Sequence, residues 1–271
     1  MDKAKRILAL LAVILLGGMY VAALIFSLMS SDRAQVYFRA ALAGTVLIPV
    51  LLYLFLLVLR AVRPAKSAVV DAIVFDVGNV LLKWDWQEYL LSIGISEEAV
   101  RAFKERVVGT KAWDALDDGK RTREDVTEDL VQMVPEYAEE FRTFMRTFAD
   151  GVEPFPYTEG WLRALREKGY RLYFLSNWNR ECCEELKARG TMDFEKQMDG
   201  GLWSYACGLV KPDPAIYRKL LADMRLDPKR TVFIDDNEKN VKGARDAGMS
   251  GILFKDYGDA AEKLRSIGVV W

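Results

Sequence analysis

Asp76 follows the apolar run Ala72-Ile73-Val74-Phe75 and opens the stretch Asp76-Val77-Gly78-Asn79-Val80-Leu81-Leu82. This pattern reads as a buried strand delivering a carboxylate to its carboxyl end, where open α/β sheets place their chemistry. Ser176-Asn177 closes a second apolar run, Lys211-Pro212 follows it, and Ile234-Asp235-Asp236-Asn237 ends a third. A phosphate ester repels an anionic nucleophile, so a carboxylate attacks it only where cations and backbone amides neutralise the group in transfer. The later residues supply those parts. Asp235 and Asp236 beside Asp76 make an acidic, all-oxygen cup suited to Mg²⁺, and Lys211 adds a positive charge. The Ser176 hydroxyl and the amides around Asn177 can donate to phosphate oxygens as helix N-termini do. The set implies phosphoryl transfer onto Asp76.

Singly, each residue has an ordinary reading. Asp76 could be a turn residue, Ser176 or Asn177 a helix cap, Lys211 a solvated loop lysine before proline, and Asp235-Asp236 another cap. Their order tips the balance, because each sits after its own apolar strand on one expected sheet edge.

The elements that must position these groups follow from hydrophobic period. A strand ends at Phe75, and a charge-rich helical block runs over 86–150, with apolar residues at three and four spacing in 97–108, 123–134 and 138–148. Beyond Pro154 and Pro156, helix and strand alternate: strands at 170–175, 202–205, 231–234 and 251–254, and helices at 158–168, 180–189, 214–224, 239–247 and 259–266. This predicts a doubly wound α/β fold with a Rossmann-like parallel sheet and a helical cap inserted after the first strand. The cap is placed to fold over the strand ends, although a helical block could equally enlarge the core or serve a partner.

Residues 7–29 and 40–59 carry no charge. At 1.5 Å per residue the first run reaches roughly 35 Å, enough to cross a bilayer, and it is longer than the apolar core of a signal peptide. Two membrane spans are expected, with residues 1–67 as anchor and linker and 68–271 as the soluble domain. Lys3, Lys5 and Arg6 precede the first run and Arg60, Arg63 and Lys66 follow the second, against Arg33 and Arg39 in the connector. That bias places both termini and the soluble domain in the cytoplasm.

Composition excludes several classes. The 271-residue chain has no histidine, which removes Ser-His-Asp triads, Cys-His dyads and histidine zinc sites. Cys182, Cys183 and Cys207 form no metal-ligand spacing, and the adjacent pair in a helix reads as packing rather than redox chemistry. A net charge of −1 without a basic, aromatic-interleaved stripe argues against nucleic acid.

From about residue 69 to 268 the chain resembles the haloacid dehalogenase-like hydrolase superfamily. Phe-Asp-Val-Gly-Asn-Val-Leu-Leu, Leu-Ser-Asn, Val-Lys-Pro-Asp-Pro and Ile-Asp-Asp-Asn-Glu-Lys-Asn match its motifs in order and look like the branch that includes glucose-1-phosphate phosphatases. The resemblance implies Asp76 as nucleophile, the Gly78 carbonyl and Asp236 as Mg²⁺ ligands, and Asp235 supporting the metal through water. It further implies Ser176, Asn177 and Lys211 holding the phosphate of a small phosphorylated substrate. The departure is Gly78, because phosphatases of the superfamily typically place there the aspartate that protonates the leaving group. Asp85, at the start of the cap, is the expected substitute acid, its ordinary reading being a helix-start aspartate. The alternatives are an anomeric sugar phosphate that leaves without help, or low turnover. Trp113, Asp117, Asp118 and Gly119 resemble a cap turn of the same branch; they either reach the site on closure or form a packed aromatic and a connecting turn. Two other functions compete: 2-haloacid dehalogenation, which needs no metal, and a phosphate-binding scaffold that has lost catalysis.

Overall fold

The computed structural model describes residues 17–18, 20–29, 32–62 and 69–271. The chain divides into two compact units between Lys66 and Ser67. Among its described residues the second unit holds seven strands: β1 (Ala72–Phe75), β2 (Leu82–Trp84), β3 (Val152–Pro154), β4 (Arg171–Ser176), β5 (Gly200–Trp203), β6 (Thr231–Asp235) and β7 (Ser250–Leu253). Five of them form one parallel sheet in the order β5-β4-β1-β6-β7. The antiparallel pair β2 and β3 stands apart. The sequence pattern does not predict these two short strands, which form the stem from which the helical block leaves the sheet domain and to which it returns.

Strand β1 is the centre of the sheet, and all four of its side chains are buried. A strand covered on both faces must be apolar at every position, and the period of two divides its residues between two cores. Ile73 and Phe75 pack with Leu172, Phe174, Val232 and Ile234 on one face. Ala72 and Val74 pack with Tyr173, Leu175 and Phe233 on the other. The register sets Phe75 beside Phe174 of β4 and Ile234 of β6. Residues just past these positions therefore emerge together at one edge.

The block between the stem strands is helical, as its periodicity predicts: Trp86–Ser92, Glu97–Arg106, Lys111–Asp114, Arg123–Val131 and Ala138–Arg146. Phe141 and Phe144 lie one turn apart on the last of these helices and meet Phe103 at ring-centroid distances of 5.0 and 6.2 Å. Trp113 stacks on Phe144 at 6.0 Å. This aromatic cluster orders the cap, and apolar burial of such rings contributes roughly 1.5–3 kcal/mol each.

In the first unit, a 31-residue helix spans Asp32–Val62 with Pro49 inside it. Its segment Arg33–Leu51 is long and apolar enough to cross a membrane, and it is the one such helix among the described residues. Val36, Val46, Leu47 and Leu51 stand exposed along it. The expected span 40–59 falls inside this helix, but Arg33 and Arg39, expected in a connector, are helical too. Much of the expected span 7–29 lies outside the described residues; 20–27 are helical, and Phe26 approaches Tyr37 at 5.5 Å. The structure thus supports one candidate span where the sequence predicts two.

Candidate active site

Asp76 leaves β1 with its N–H donating to the Ile234 carbonyl at 2.8 Å, which continues the ladder to β6. Its Oδ1 accepts three hydrogen bonds: from Val77 N at 2.7 Å, from Ser176 Oγ at 2.7 Å and from Lys211 Nζ at 2.8 Å. Oδ2 has no donor among the described residues. One oxygen is therefore clamped while the other stays available, the condition a nucleophile requires. Burial, which outweighs Lys211, raises the Asp76 pKa to about 7, and Asp235 and Asp236 push in the same direction.

Lys211 is buried between two carboxylates, its Nζ 2.6 Å from Asp235 Oδ2 as well as 2.8 Å from Asp76. Burial opposes its charge, but the two anions prevail and hold it above its ordinary value. Asp235 is fully buried, and both its oxygens are occupied: Oδ1 takes Asn237 N and Asn240 Nδ2, and Oδ2 takes Lys211 Nζ and Asn240 Nδ2. Asn177 holds the other end of the lysine residue. Its Oδ1 accepts from Lys211 N at 2.7 Å and its Nδ2 donates to Lys211 O at 3.0 Å. The Asn177 side chain, expected near phosphate, is thus committed to fixing the lysine backbone.

Asp76, Asp235 and Asp236 offer carboxylate oxygens that all lie within 4.8 Å of one another. The donor set is hard, anionic and wholly oxygen, which fits a divalent cation of the Mg²⁺ type. Asp236 lines the cavity, where partial loss of water around its carboxyl and the nearby Asp235 raise its pKa.

Asp76, Ser176, Asn177, Lys211, Asp236 and Asn240 line a cavity of about 220 Å³ together with Gly78, Asn79, Trp84, Trp113, Asp117, Phe148 and Trp178. The cap supplies Trp113, Asp117 and Phe148, so both readings of the Trp113 turn hold: the indole packs on Phe144, and the turn reaches the site. A Cβ added at Gly78 would meet the Trp178 ring at 3.3 Å. The space beside Gly78 is bordered by an indole.

Asp85 corrects the sequence reading. It is exposed, accepts the Glu88 N–H at 3.2 Å as the cap of helix Trp86–Ser92, and lines a different groove with Lys83, Tyr89 and Glu153. A helix N-terminus has unpaired N–H groups, and an aspartate just before it turns to satisfy them. Sequence reasoning also missed Asn240 and Trp178. Asn240 was detectable as a polar residue on the buried face of its helix, next to Val241 and one turn from Ala244. Cys182 and Cys183 are buried within helix Arg180–Ala188, and burial pushes the Cys182 thiol up to about 12, as expected for packing residues.

The family model of the haloacid dehalogenase-like hydrolases matches residues 70–248. The chain belongs to this family. Among curated proteins it is 24% identical over 201 residues to a sesquiterpene phosphatase of Aspergillus oryzae, covering 72% of this chain and 95% of that one. It is 25% identical over 207 residues to the D-ribitol-5-phosphate phosphatase of Bacteroides thetaiotaomicron, covering 72% and 97%. A solved structure of a haloacid dehalogenase family enzyme from B. thetaiotaomicron shares the fold at a TM-score of 0.57 and 24% identity, covering 73% of this chain and 99% of that one. The same enzyme has been solved as a magnesium complex, which shares the fold at a TM-score of 0.56 and 23% identity, over 72% and 98%. The family match begins after the apolar N-terminal region has ended.

Proposed function

We propose that this hydrolase is a Mg²⁺-dependent phosphatase, tethered to a membrane, that acts on a small phosphorylated metabolite through an aspartyl-phosphate on Asp76. The observation that carries the reading is the Asp76 carboxylate, with Oδ1 clamped by three donors, Oδ2 without a donor among the described residues, and the Asp236 carboxylate close by. Asp76 Oδ2 attacks phosphorus, while Lys211 and the Ser176 hydroxyl stand where charge builds on the phosphoryl oxygens. A divalent cation held by Asp76, Asp236 and the Gly78 carbonyl would favour the ionised nucleophile and take up phosphoryl charge. Asp235 holds Lys211 from behind.

The aromatic residues Trp84, Trp113, Phe148 and Trp178 line the cavity, which suits a substrate whose body presents a ring or an apolar surface. A sugar phosphate of the glucose-1-phosphate kind fits this wall, and the relatives' names span a terpene and a sugar alcohol. The acidic cup argues against a metal-free dehalogenase. The apolar helix Arg33–Leu51 supports a membrane tether; two spans, at 7–29 and 40–59, would keep both termini and the hydrolase domain on the cytoplasmic face.

The test uses the full chain in detergent micelles, screened against sugar, polyol and isoprenyl phosphates with Mg²⁺ or with chelator. Turnover should require Mg²⁺ and should fall to background in Asp76→Asn. Hydrolysis without metal, or by Asp76→Asn, would sink the mechanism. Release of the expressed chain from membranes by alkaline washing would remove the tether.

A further inference from the structure

An alkoxide leaves phosphorus slowly unless it is protonated, and a positioned acid contributes about 10²- to 10⁴-fold. Position 78 has no side chain, and the Trp178 ring borders the space where one would extend. The donor must come from another element. The titratable groups that line the cavity are Asp76, Asp117, Lys211 and Asp236. Asp76 is the nucleophile, Lys211 is locked between Asp76 and Asp235, and Asp236 belongs to the carboxylate cup. Asp117 remains.

Its position is built by the fold. The Asp117 N–H closes the turn after helix Lys111–Asp114 by donating to the Asp114 carbonyl at 3.1 Å. Two residues on, Gly119 has φ +68°, and a Cβ there would collide with the Tyr205 carbonyl. Only glycine permits both that conformation and that approach, so the turn is pressed onto the sheet domain. The neighbouring Asp118 points to Lys120, accepting from its Nζ and its backbone N at 3.0 Å each. The Asp117 carboxyl, half-buried at the cavity wall, takes no hydrogen bond or ion pair among the described residues. A carboxyl that stabilises no neighbour yet is held in the cavity has its chemistry to offer.

We propose that Asp117 is the acid-base of the reaction, resting on the phosphatase reading above. As Asp76 Oδ2 bonds to phosphorus, the ester P–O bond breaks, its electron pair stays on the leaving oxygen, and that oxygen takes the Asp117 proton to depart as an alcohol. The Asp117 carboxylate then accepts a proton from a water whose oxygen attacks phosphorus. The P–O bond to Asp76 breaks, its pair returns to the carboxylate, and inorganic phosphate is released. Burial, helped by Asp114 and Asp118 on its own turn and by Asp76 across the cavity, and opposed by Lys211, raises the Asp117 pKa to about 7. An acid with that value holds its proton near neutrality and returns to service after each cycle. The donor sits on the cap, so protonation of the leaving group is tied to a seated cap.

The test compares p-nitrophenyl phosphate, phenyl phosphate and ribitol 5-phosphate on the full chain in detergent with Mg²⁺. The losses are read as kcat/KM, which reports the transfer to Asp76 and not the later attack of water common to all three esters: Asp117→Asn should lose about 10²- to 10⁴-fold on the alkyl ester and less than about tenfold on the nitrophenyl ester, whose leaving group needs no proton. Asp117→Glu should recover part of the alkyl activity. An equal loss on every ester in well-folded Asp117→Asn, or no loss, overturns the assignment. If Asp117→Asn does not fold, Asp117→Glu carries the same comparison: a uniform loss overturns the proposal, and a loss that grows with leaving-group basicity supports it. Failure of the parent chain on all three esters would instead remove the phosphatase reading; activity through Asp76 with a uniform Asp117→Asn loss would remove this inference alone.

Discussion

On the sheet side of the cavity, charged groups are held by one another: Lys211 bridges Asp76 and Asp235, Asn240 bonds both oxygens of Asp235, and Asn177 pins the lysine backbone. On the cap side, Asp117 has burial without a partner among the described residues. The first arrangement fixes atoms in place before substrate arrives, which is what electrostatic stabilisation of a transferring phosphoryl group demands. The second leaves a carboxyl unspent and raises its pKa to about 7, which suits a group that gives up a proton and takes one back. One site therefore uses the same residue type in opposite ways, and the surroundings decide which. Asp85 makes a third case, an aspartate whose surroundings give it a helix to cap.

Breaking the sheet-side network should have the largest effect on folding. Lys211→Met leaves Asp76 and Asp235 buried together without their cation, and removing one partner of a buried ion pair costs about 3–5 kcal/mol. Urea unfolding of the full chain at pH 7 should show that loss alongside lost turnover. A loss below about 1 kcal/mol would mean that the buried carboxylates relax without the lysine.

Removing Asp117 should act in the opposite direction. A carboxyl raised from 3.8 to about 7 binds its proton more tightly in the folded chain than in the unfolded one. The stability it contributes is present below about pH 4 and is lost as pH rises through about 7. Asn at this position does not titrate, so the Tm of Asp117→Asn minus that of the parent should increase from about pH 4 to about pH 8. A difference that stays flat with pH would show that the fold leaves this carboxyl near its ordinary value. A gain in stability with a loss of alkyl-ester activity is the signature of a residue kept for function.

Asp85→Ala should have the smallest consequence. Loss of the cap costs about 0.5–2 kcal/mol, read as a lower Tm, with kcat and its pH profile unchanged. A shifted pH profile would return Asp85 to the mechanism.

Much of the fold and of the sheet-side site is legible in the sequence because the relevant signals are local. The apolar runs that lead to Asp76, Ser176 and Asp235 are strands whose side chains alternate between two cores, and a polar group at or just past the end of such a run emerges at the sheet edge. The helical cap is equally readable from three-and-four spacing. What spacing does not carry is which end of a helix meets the sheet domain. Asp85 and Asp117 both sit at helix ends in the cap, and nothing in their flanking residues separates a capping carboxyl from one turned into a cavity.

The amino-acid sequence by itself determined the strand ends, the order of the four motifs, the absence of a side chain at position 78 and the apolar character of the N-terminal region, since each depends on residue type and short-range period. The tertiary structure decided the rest. Only the strand order β4-β1-β6 brings Ser176 and Asp235 to opposite sides of Asp76, and only the close seat of Gly119 on Tyr205 carries Asp117 to the same cavity. Both are contacts between residues far apart in the chain, and they exist because burying the two faces of the sheet and the aromatic side of the cap leaves few ways to pack them together.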